Sequence, residues 1–452
     1  MWLTSSFWSG IFYSIIERRK HLRSGLRSLL WWTACVWSGG ILPLLWTLYQ
    51  PLPRKVLAYS RWDRTKMQVM ETCMRIFFLW PSRRYARNLP YLGWWTDASL
   101  GFMAKILGPW IAFSRHLYIE TTAIDGVRVR IYRPRSSSSA HSRLCVVFFH
   151  GGGFVMGDIE TYESICRQLT LSMGAHVLVS VDYRRAPNTI FPGALEDCHR
   201  VVQFMIDNGE CAYGIDTEKI IVIGDSAGAN VAAAIAQRLT FNDEERRHRL
   251  LGQALIYPLT QLTNLRTPSY REHAQYDKTA LPDPYSVVAF VLMYAGVDVA
   301  SHPEYVEDAL RNEHASGRAR RTLTKLVAES STVDDESNNN NEEESNEELS
   351  ALQRHLEPLL LDPDFAPLMR ENLEGLPPAI VLTCESDILR DEGAWYTRRL
   401  RRAKVPTRRL HYVHGFHAIL NMHGQISLGR KMIEDIGKWT DDLIARNQSI
   451  QR

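Results

Sequence analysis

One stretch of the sequence, residues 219–239, most constrains the fold, because it places a serine in a sharp turn between a strand and a helix. The β-branched run from Ile220 to Ile223 predicts a fully buried parallel strand, and the Ala-rich segment 230–239 predicts a helix. Between them lies Gly224-Asp-Ser-Ala-Gly228, a G-x-S-x-G pattern. The pentapeptide alone is common by chance, but strand, turn and helix together are typical of a nucleophile elbow. Ser226 is therefore the candidate nucleophile.

A second glycine-rich turn follows another buried strand. The run from Leu144 to Phe149 predicts a strand that leads directly into His150-Gly-Gly-Gly153. Consecutive glycines bring bare backbone close to a ligand, and preorganised N–H groups are the usual donors to an oxyanion. We expect the backbone N–H groups of Gly152, Gly153 and Ala227 to form an oxyanion hole, and His150 to organise the loop rather than act as a base.

The remaining pattern predicts a mostly parallel sheet flanked by helices. Further buried strands are predicted near 176–183, 253–258, 376–387 and 408–413, and segments with helical spacing separate them. A hairpin is predicted over 118–132, because Asp125-Gly126 is a strong turn signal. Alternating strands and helices indicate an α/β class with helices on both faces of the sheet.

A base and an acid for the serine are predicted after the last strands. In α/β-hydrolases the chain order is serine, then acid, then histidine. Asp387 follows one predicted strand, and His414 and His417 both follow the last one. The carboxylates of Asp391 and Glu392 are weaker candidates, because the following helix carries them. Asp225 neighbours the serine, but the turn is expected to direct its side chain elsewhere.

The first residues predict a membrane anchor. No charged residue occurs between Ser28 and Pro53, and about 20 apolar residues suffice to cross a bilayer. Residues 1–16 are a second uncharged stretch, interfacial or a short second span. Basic residues flank the longer stretch almost equally, so they favour neither orientation. The alternative is a Trp-rich hydrophobic helix packed on the enzyme's own cap. We expect an anchor region at 1–55, in contact with membrane lipid, and a helical cap segment at 56–117.

Composition excludes several other classes. The net charge of the 452 residues is +3, which predicts no nucleic-acid partner. The seven cysteines show no C-x-x-C spacing, which argues against a zinc finger or a disulfide scaffold.

Residues 315–352 contain clustered glutamates, aspartates and asparagines, with no Lys or Arg from Leu326 to Gln353. Such a tract predicts a disordered acidic insertion. It would divide the α/β domain into a first part at 118–314 and a second part at 353–452.

These motifs resemble the hormone-sensitive lipase family of α/β-hydrolases, which includes arylacetamide deacetylases and neutral cholesterol ester hydrolases. The resemblance covers about 118–299 and 361–444. The shared motifs are His150-Gly-Gly-Gly153, Val181-Asp-Tyr-Arg184 with Ala186-Pro187, Phe191-Pro192, Glu196-Asp197, Gly224-Asp-Ser-Ala-Gly228, and Asp387 with Leu389-Arg-Asp-Glu-Gly393.

The resemblance implies an α/β-hydrolase fold and a serine hydrolase acting on apolar or lipid-like carboxylic esters, with no metal and no cofactor. In the family the acid and the histidine are commonly thirty residues apart, which matches Asp387 and His417; His414 lies only twenty-seven residues after Asp387. The resemblance therefore favours His417 as the base, with His414 as the alternative. It also implies that the anchor lies in a membrane, expected to be the endoplasmic reticulum. The acidic insertion departs from the anchored branch.

Two other functions remain open from the sequence. A non-catalytic receptor on the same fold, similar to the plant gibberellin receptors, would lack an intact triad histidine, whereas this chain keeps every element. A serine peptidase is the other alternative, and no propeller repeat or second domain supports it. The physiological ester, the side of the membrane that the site faces and the oligomeric state are not determined by the sequence.

Overall fold

A computed structural model describes residues 116–135, 143–247, 249–275, 284–328 and 348–450. The predicted anchor at 1–55, and all but the last two residues of the predicted cap segment at 56–117, lie outside these described residues.

The centre of the described chain is an eight-stranded sheet in the order β1-β2-β4-β3-β5-β6-β7-β8. The strands β1 and β2 pair antiparallel, β2 pairs antiparallel with β4, and all later pairs are parallel. The predicted mostly parallel sheet of an α/β-hydrolase is thereby confirmed. The strands are β1 (Leu117–Ile124), β2 (Val127–Pro134), β3 (Cys145–Phe149), β4 (Val177–Val181), β5 (Ile220–Asp225), β6 (Leu250–Ile256), β7 (Ala379–Ser386) and β8 (Thr407–Phe416).

Helices cover the sheet and connect its strands. In chain order they are α1 (Glu163–Ser172), α2 (Gly193–Tyr213), α3 (Ala227–Phe241), α4 (Pro268–Gln275), α5 (Pro284–Tyr294), α6 (Glu304–Leu310), α7 (Gly317–Ala328), α8 (Ala351–Leu360), α9 (Arg390–Arg402) and α10 (Ser427–Ile450). Short 3-10 turns occur at Pro367–Met369 and Ile419–Met422. Among the described helices, none combines the length and the apolar character needed to cross a membrane.

The antiparallel edge begins with the predicted hairpin. Asp125 and Gly126 join β1 to β2, and both have positive φ angles, 47° and 76°. Two successive positive φ angles are typical of the tight turn whose twist matches a hairpin. Strands β3 to β7 lie further inside the sheet, and every residue of β3, β4, β5 and β6 is buried. This burial explains their continuous apolar runs.

The order of the parallel strands creates a crevice at their carboxyl ends. Strand β4 lies on one side of β3, and β5 lies on the other side, so the chain reverses its direction of progress across the sheet at β3. Ligands of open α/β sheets bind outside the carboxyl ends at such a point. His150 follows β3 here, and Ser226 follows β5.

The predicted disorder of residues 315–352 was wrong for its first part and for its last residues, where Ser350 caps the start of helix α8. Residues Gly317–Ala328 form helix α7, and the apolar side chains of Ala319, Leu323 and Leu326 are buried along one face. Spacings of four and three residues place these side chains on one helical stripe, which offsets the cost of ordering the segment. The composition changes only after this helix. Residues 329–347 lie outside the described residues.

A charged network fixes the start of α2 against the loop after β4. The buried Asp197 accepts hydrogen bonds from the backbone N–H and the guanidinium of Arg184, and from Arg200 at 2.6 Å. Burial raises the pKa of Asp197, but the hydrogen bonds from Arg184 and Arg200 outweigh it and hold the pKa below its ordinary value. The network therefore stabilises the folded chain wherever Asp197 is ionised.

We expect Asp197→Ala to lower the free energy of unfolding by about 2 kcal/mol, since it removes charge-assisted hydrogen bonds to arginines that remain partly hydrated. Urea unfolding at pH 7 measures the loss, and the loss should shrink as the pH falls below about 4, where the unfolded carboxyl is protonated. The matched control is Asp182→Ala, whose partner Arg128 is half exposed and whose pair should contribute less than about 1 kcal/mol. An equal loss of unfolding free energy in the two variants would contradict the larger contribution assigned to Asp197.

Candidate active site

The turn between β5 and α3 holds Ser226 in a conformation that ordinary residues avoid. Its φ and ψ angles are 56° and −118°, and its N–H donates to the carbonyl of Ile256 at 2.9 Å. A Cβ on Gly224 would lie 2.2 Å from the carbonyl oxygen of Gly228, and a Cβ on Gly228 would lie 2.1 Å from that of Phe149. Only glycine permits such close approach, and strain of this kind is typical of active-site residues.

The side chains of Ser226, His417 and Asp387 form one hydrogen-bonded chain. The Oγ of Ser226 lies 3.0 Å from Nε2 of His417, and Nδ1 of His417 lies 3.0 Å from each carboxylate oxygen of Asp387. Asp387 follows β7 and is 1% exposed, and His417 follows β8 and is 5% exposed. The backbone N–H of Leu389 donates to Asp387 at 2.8 Å. The structure therefore brings together three residues that the sequence predicts for one site.

The weaker candidates have other partners. Both carboxylate oxygens of Glu392 accept hydrogen bonds, from the N–H of Thr260 and from the amide of Gln261. Burial raises the pKa of Glu392 well above its usual range. The carboxylate of Asp391 accepts from the N–H of Ser269. Glu392 therefore fastens α9 to the loop after β6, and Asp391 fastens it to the first turn of α4.

The other histidine candidate has a different position. His414 lies within β8 and is exposed, whereas His417 is buried beyond the end of that strand. The hydroxyl of Ser226 makes its hydrogen bond with Nε2 of His417.

The glycine loop after β3 adopts a backbone that only glycines permit. Gly152 and Gly153 have φ angles of 118° and 63°. A Cβ on Gly152 would lie 2.2 Å from the carbonyl oxygen of Met156, and one on Gly153 would lie 2.8 Å from the ring of Phe290. Within the described part of the chain, the N–H groups of Gly152 and Gly153 have no hydrogen-bond acceptor.

Asp225 connects this loop to the serine turn. Its Oδ1 accepts a hydrogen bond from the N–H of Gly151 at 2.8 Å, and its Oδ2 accepts from the hydroxyls of Tyr162 and Tyr257. Complete burial raises the pKa of Asp225 to about 6, although the hydrogen bond from Gly151 opposes that rise. The side chain is thus directed to the glycine loop and to two tyrosines, as expected for a residue that the turn directs elsewhere than the serine. The two tyrosines were not predicted, since they are remote in sequence and look like ordinary core aromatics.

His150 is buried within the same loop. Its ring stacks on Tyr183 at a centroid distance of 4.1 Å, and its Nδ1 lies 2.8 Å from the carbonyl oxygen of Gly151. Burial lowers the pKa of His150 to about 4, so the ring is neutral near pH 7. A neutral ring can donate to that carbonyl only through a protonated Nδ1, which leaves Nε2 as the unprotonated nitrogen. The hydroxyl of Tyr183 donates to the backbone carbonyl of His150 at 2.7 Å, so the ring and the backbone of His150 are both fixed.

The sheet order, the strained serine and the glycine loop define an α/β-hydrolase. The sequence pattern of the alpha/beta hydrolase fold family matches residues 146–343 and 325–421, and the chain belongs to this family.

Its relatives narrow the class further. Neutral cholesterol ester hydrolase 1 of Bos taurus is 28% identical over 90% of this chain and 99% of its own length. Arylacetamide deacetylase of Oryctolagus cuniculus is 32% identical over 68% of this chain and 75% of its own. A solved esterase from Pyrobaculum calidifontis is 27% identical, with a TM-score of 0.58 over 79% of this chain and 94% of that one. The chain is a hormone-sensitive-lipase-like enzyme of the carboxylesterase and lipase type.

We expect Asp225→Ala to lower kcat/KM for a short-chain ester by about a hundredfold, because the glycine loop loses its tie to the serine turn and shifts. Asp225→Asn keeps an oxygen that accepts from Gly151 and should keep most of the activity. Ester hydrolysis and thermal unfolding of both variants provide the measurement. If the two variants lose activity equally, the tie between loop and turn does not position the site.

Proposed function

We propose that this protein hydrolyses apolar carboxylic esters, with Ser226 as nucleophile, His417 as general base and acid, and Asp387 as the residue that orients the imidazole. The observation that carries the proposal is the position of His417. Its ring lies 3.0 Å from Ser226 on one side and 3.0 Å from Asp387 on the other. This sequence of contacts is what serine hydrolysis requires, because one ring nitrogen must accept a proton while the other donates to a carboxylate.

The first half of the reaction forms an acyl-enzyme. Oγ of Ser226 attacks the ester carbonyl while its proton passes to Nε2 of His417, and the carbonyl oxygen becomes an oxyanion. When the intermediate collapses, the bond to the alcohol oxygen breaks, and His417 returns the proton to the leaving alkoxide. Asp387 stabilises the imidazolium that exists between these two events. Water then attacks the acyl-enzyme by the same route, and the carboxylic acid leaves.

The proposed oxyanion hole consists of the N–H groups of Gly152, Gly153 and Ala227. Ala227 is the first residue of α3, where a helix presents unsatisfied N–H groups and the positive end of its dipole. The two glycines belong to the loop that Asp225 ties beside the serine turn. Donors that are already in place cost no reorganisation when the negative charge develops, and one such donor typically contributes about 3 kcal/mol.

An apolar substrate is supported by the surroundings of the glycine loop and by the relatives. Helix α5 is apolar along its length, and its Phe290 packs against Gly153. Beside the loop, the rings of Phe154 and Tyr294 stack at 3.8 Å. The names of the relatives include a cholesterol ester hydrolase, whose substrate carries a large apolar alcohol.

We expect Ser226→Ala, His417→Ala and Asp387→Ala each to lower kcat for p-nitrophenyl butyrate by more than about 10⁴-fold, because the three groups act as a unit. His414→Ala is the matched control and should hydrolyse the ester at nearly the original rate. Circular dichroism establishes that the variants are folded. Hydrolysis that persists in the folded Ser226 variant would rule out this nucleophile, and a loss confined to the His414 variant would reassign the base.

We further propose that residues 1–55 anchor the enzyme to a membrane, in the endoplasmic reticulum. The support is the absence of charge from Ser28 to Pro53 over a length that suffices to cross a bilayer. We expect Leu42→Arg combined with Leu45→Arg to release the protein from membranes, because each charge costs about 3 kcal/mol at the centre of a spanning helix.

Sedimentation of membranes after an alkaline wash measures this release. The control places the same two charges in the acidic insertion, as Asn338→Arg with Asn340→Arg, and this variant should remain in the membrane fraction. Release of the unchanged chain by the wash would argue for the alternative in which the hydrophobic helix packs on the enzyme itself, and retention of both variants would place the membrane attachment in another segment.

A further inference from the structure

A cavity of about 1000 Å³ opens at the end of the sheet opposite to Ser226. It is lined by residues at or just before the amino ends of the last four strands, whereas Ser226, Asp387 and His417 all follow carboxyl ends. Its volume lies at the upper limit of ordinary ligand pockets. The proposed ester hydrolysis makes no use of this cavity.

The lining of the cavity carries an excess of positive charge. Arg246 is paired with Asp207 and Asp243, and Arg408 is paired with Asp442. Five further arginines line the cavity, and none of them has a carboxylate within salt-bridge distance among the described residues. These are Arg247, Arg249, Arg401, Arg409 and Arg446. We call them the groove arginines. The remaining acid of the lining is Glu218.

Neighbouring arginines act on Arg409, one of the groove arginines. Burial lowers the pKa of Arg409, and the positive charges of Arg398 and Arg401 lower it further. Burial is the larger cause, and the charges of Arg398 and Arg401 add a repulsion that opposes a further positive charge beside Arg409. An anion in the cavity would relieve this repulsion, and the forked guanidinium groups match the oxygens of phosphate or carboxylate.

The floor of the cavity is apolar. Leu250, Leu251, Trp439 and Leu443 line it beside the groove arginines, together with Leu376. Each of these side chains is only 4% to 8% exposed, and a small inorganic anion would fill only part of the volume beside them. A ligand that covers the floor and also reaches the arginines needs an apolar chain as well as an anionic group.

We propose that this cavity binds a single-chain lipid with a phosphate headgroup, a ligand of the lysophosphatidate type. A phosphate monoester carries close to two negative charges and three acceptor oxygens, which suits the groove arginines better than one carboxylate does. The acyl chain lies on the apolar floor, and the headgroup lies among the groove arginines. The site is separate from Ser226, so the proposal does not depend on the proposed hydrolysis.

The first test is isothermal titration calorimetry of the full chain with an ether-linked lysophosphatidate, which has no ester to hydrolyse, below its micelle concentration. We expect saturable binding that weakens as salt is added. Two matched ligands separate the contributions of charge and chain. The ether-linked lysophosphatidylcholine keeps the chain but has a zwitterionic headgroup, and sn-glycerol 3-phosphate keeps the headgroup but has no chain. Each should bind at least about tenfold more weakly if charge and chain both contribute.

The second test changes the protein. We expect Arg247→Gln, Arg249→Gln and Arg446→Gln together to weaken lysophosphatidate binding by at least about tenfold, with unchanged hydrolysis of p-nitrophenyl butyrate. The control removes three exposed positive charges outside the cavity, as Arg318→Gln, Arg321→Gln and Lys325→Gln on α7. It should bind the lipid as the original chain does.

Three results would overturn the proposal. The first is no binding of the lipid by the full chain, as expected if another part of the chain fills the cavity. The second is equal binding of sn-glycerol 3-phosphate or of the zwitterionic lipid. The third is equal binding by the groove variant and the α7 variant. Hydrolysis that persists in the Ser226 variant bears only on the proposed reaction, because lipid binding is measured without turnover.

Discussion

The close approach of three backbone segments at the serine turn is the constraint on which the site depends. At the carboxyl end of strand β5 the chain must turn back within a few residues and enter α3. The glycine loop after β3 lies directly alongside this turn. No side chain is tolerated at Gly224 or Gly228, because a Cβ would overlap a backbone carbonyl. This geometry holds Ser226 at a positive φ angle, which is strained for a residue with a side chain. In return, the serine hydroxyl and the N–H groups of the loop lie at one edge of the sheet, held by buried strands on both sides.

Buried carboxylates near the site differ by their partners rather than by their residue type. Asp387 contacts an imidazole, Asp225 accepts from a backbone N–H and two phenols, and Glu392 accepts from a backbone N–H and an amide. Burial raises the pKa of Asp225 and of Glu392. Two of these acids therefore fasten loops to the sheet, and one is in contact with the proposed base. The division follows from where each residue lies: Asp225 ends β5, Asp387 follows β7, and Glu392 lies in the first turn of α9.

The two ends of the parallel sheet have different chemistry. The carboxyl end carries a serine, an imidazole and a loop of glycines, beside an apolar helix. The amino end carries arginines over an apolar floor. Helix α9 connects the two ends, since its first turn holds Glu392 against the loop after β6 and its last turn contributes Arg401 to the cavity. A ligand at the arginines would thus contact an element that also borders the proposed site of hydrolysis.

The sequence by itself determined the class of fold and the residues of the proposed site. Buried strands are recognisable in the sequence as β-branched runs. The serine, the acid and the histidine each follow a predicted strand, and the carboxyl ends of these parallel strands share one edge of the sheet. The sequence failed where the outcome depends on contacts between distant segments. Helix α7 was missed because its short stripe of buried apolar residues directly precedes the acidic tract, and the two were read as one polar segment. The spacing common in the family favoured His417 over His414, and the tertiary structure joins the ring of His417 to Ser226. It also set Tyr162 and Tyr257 on Asp225, and it gathered arginines from separate helices and strands into one cavity, because residues far apart in sequence become neighbours only when the sheet forms.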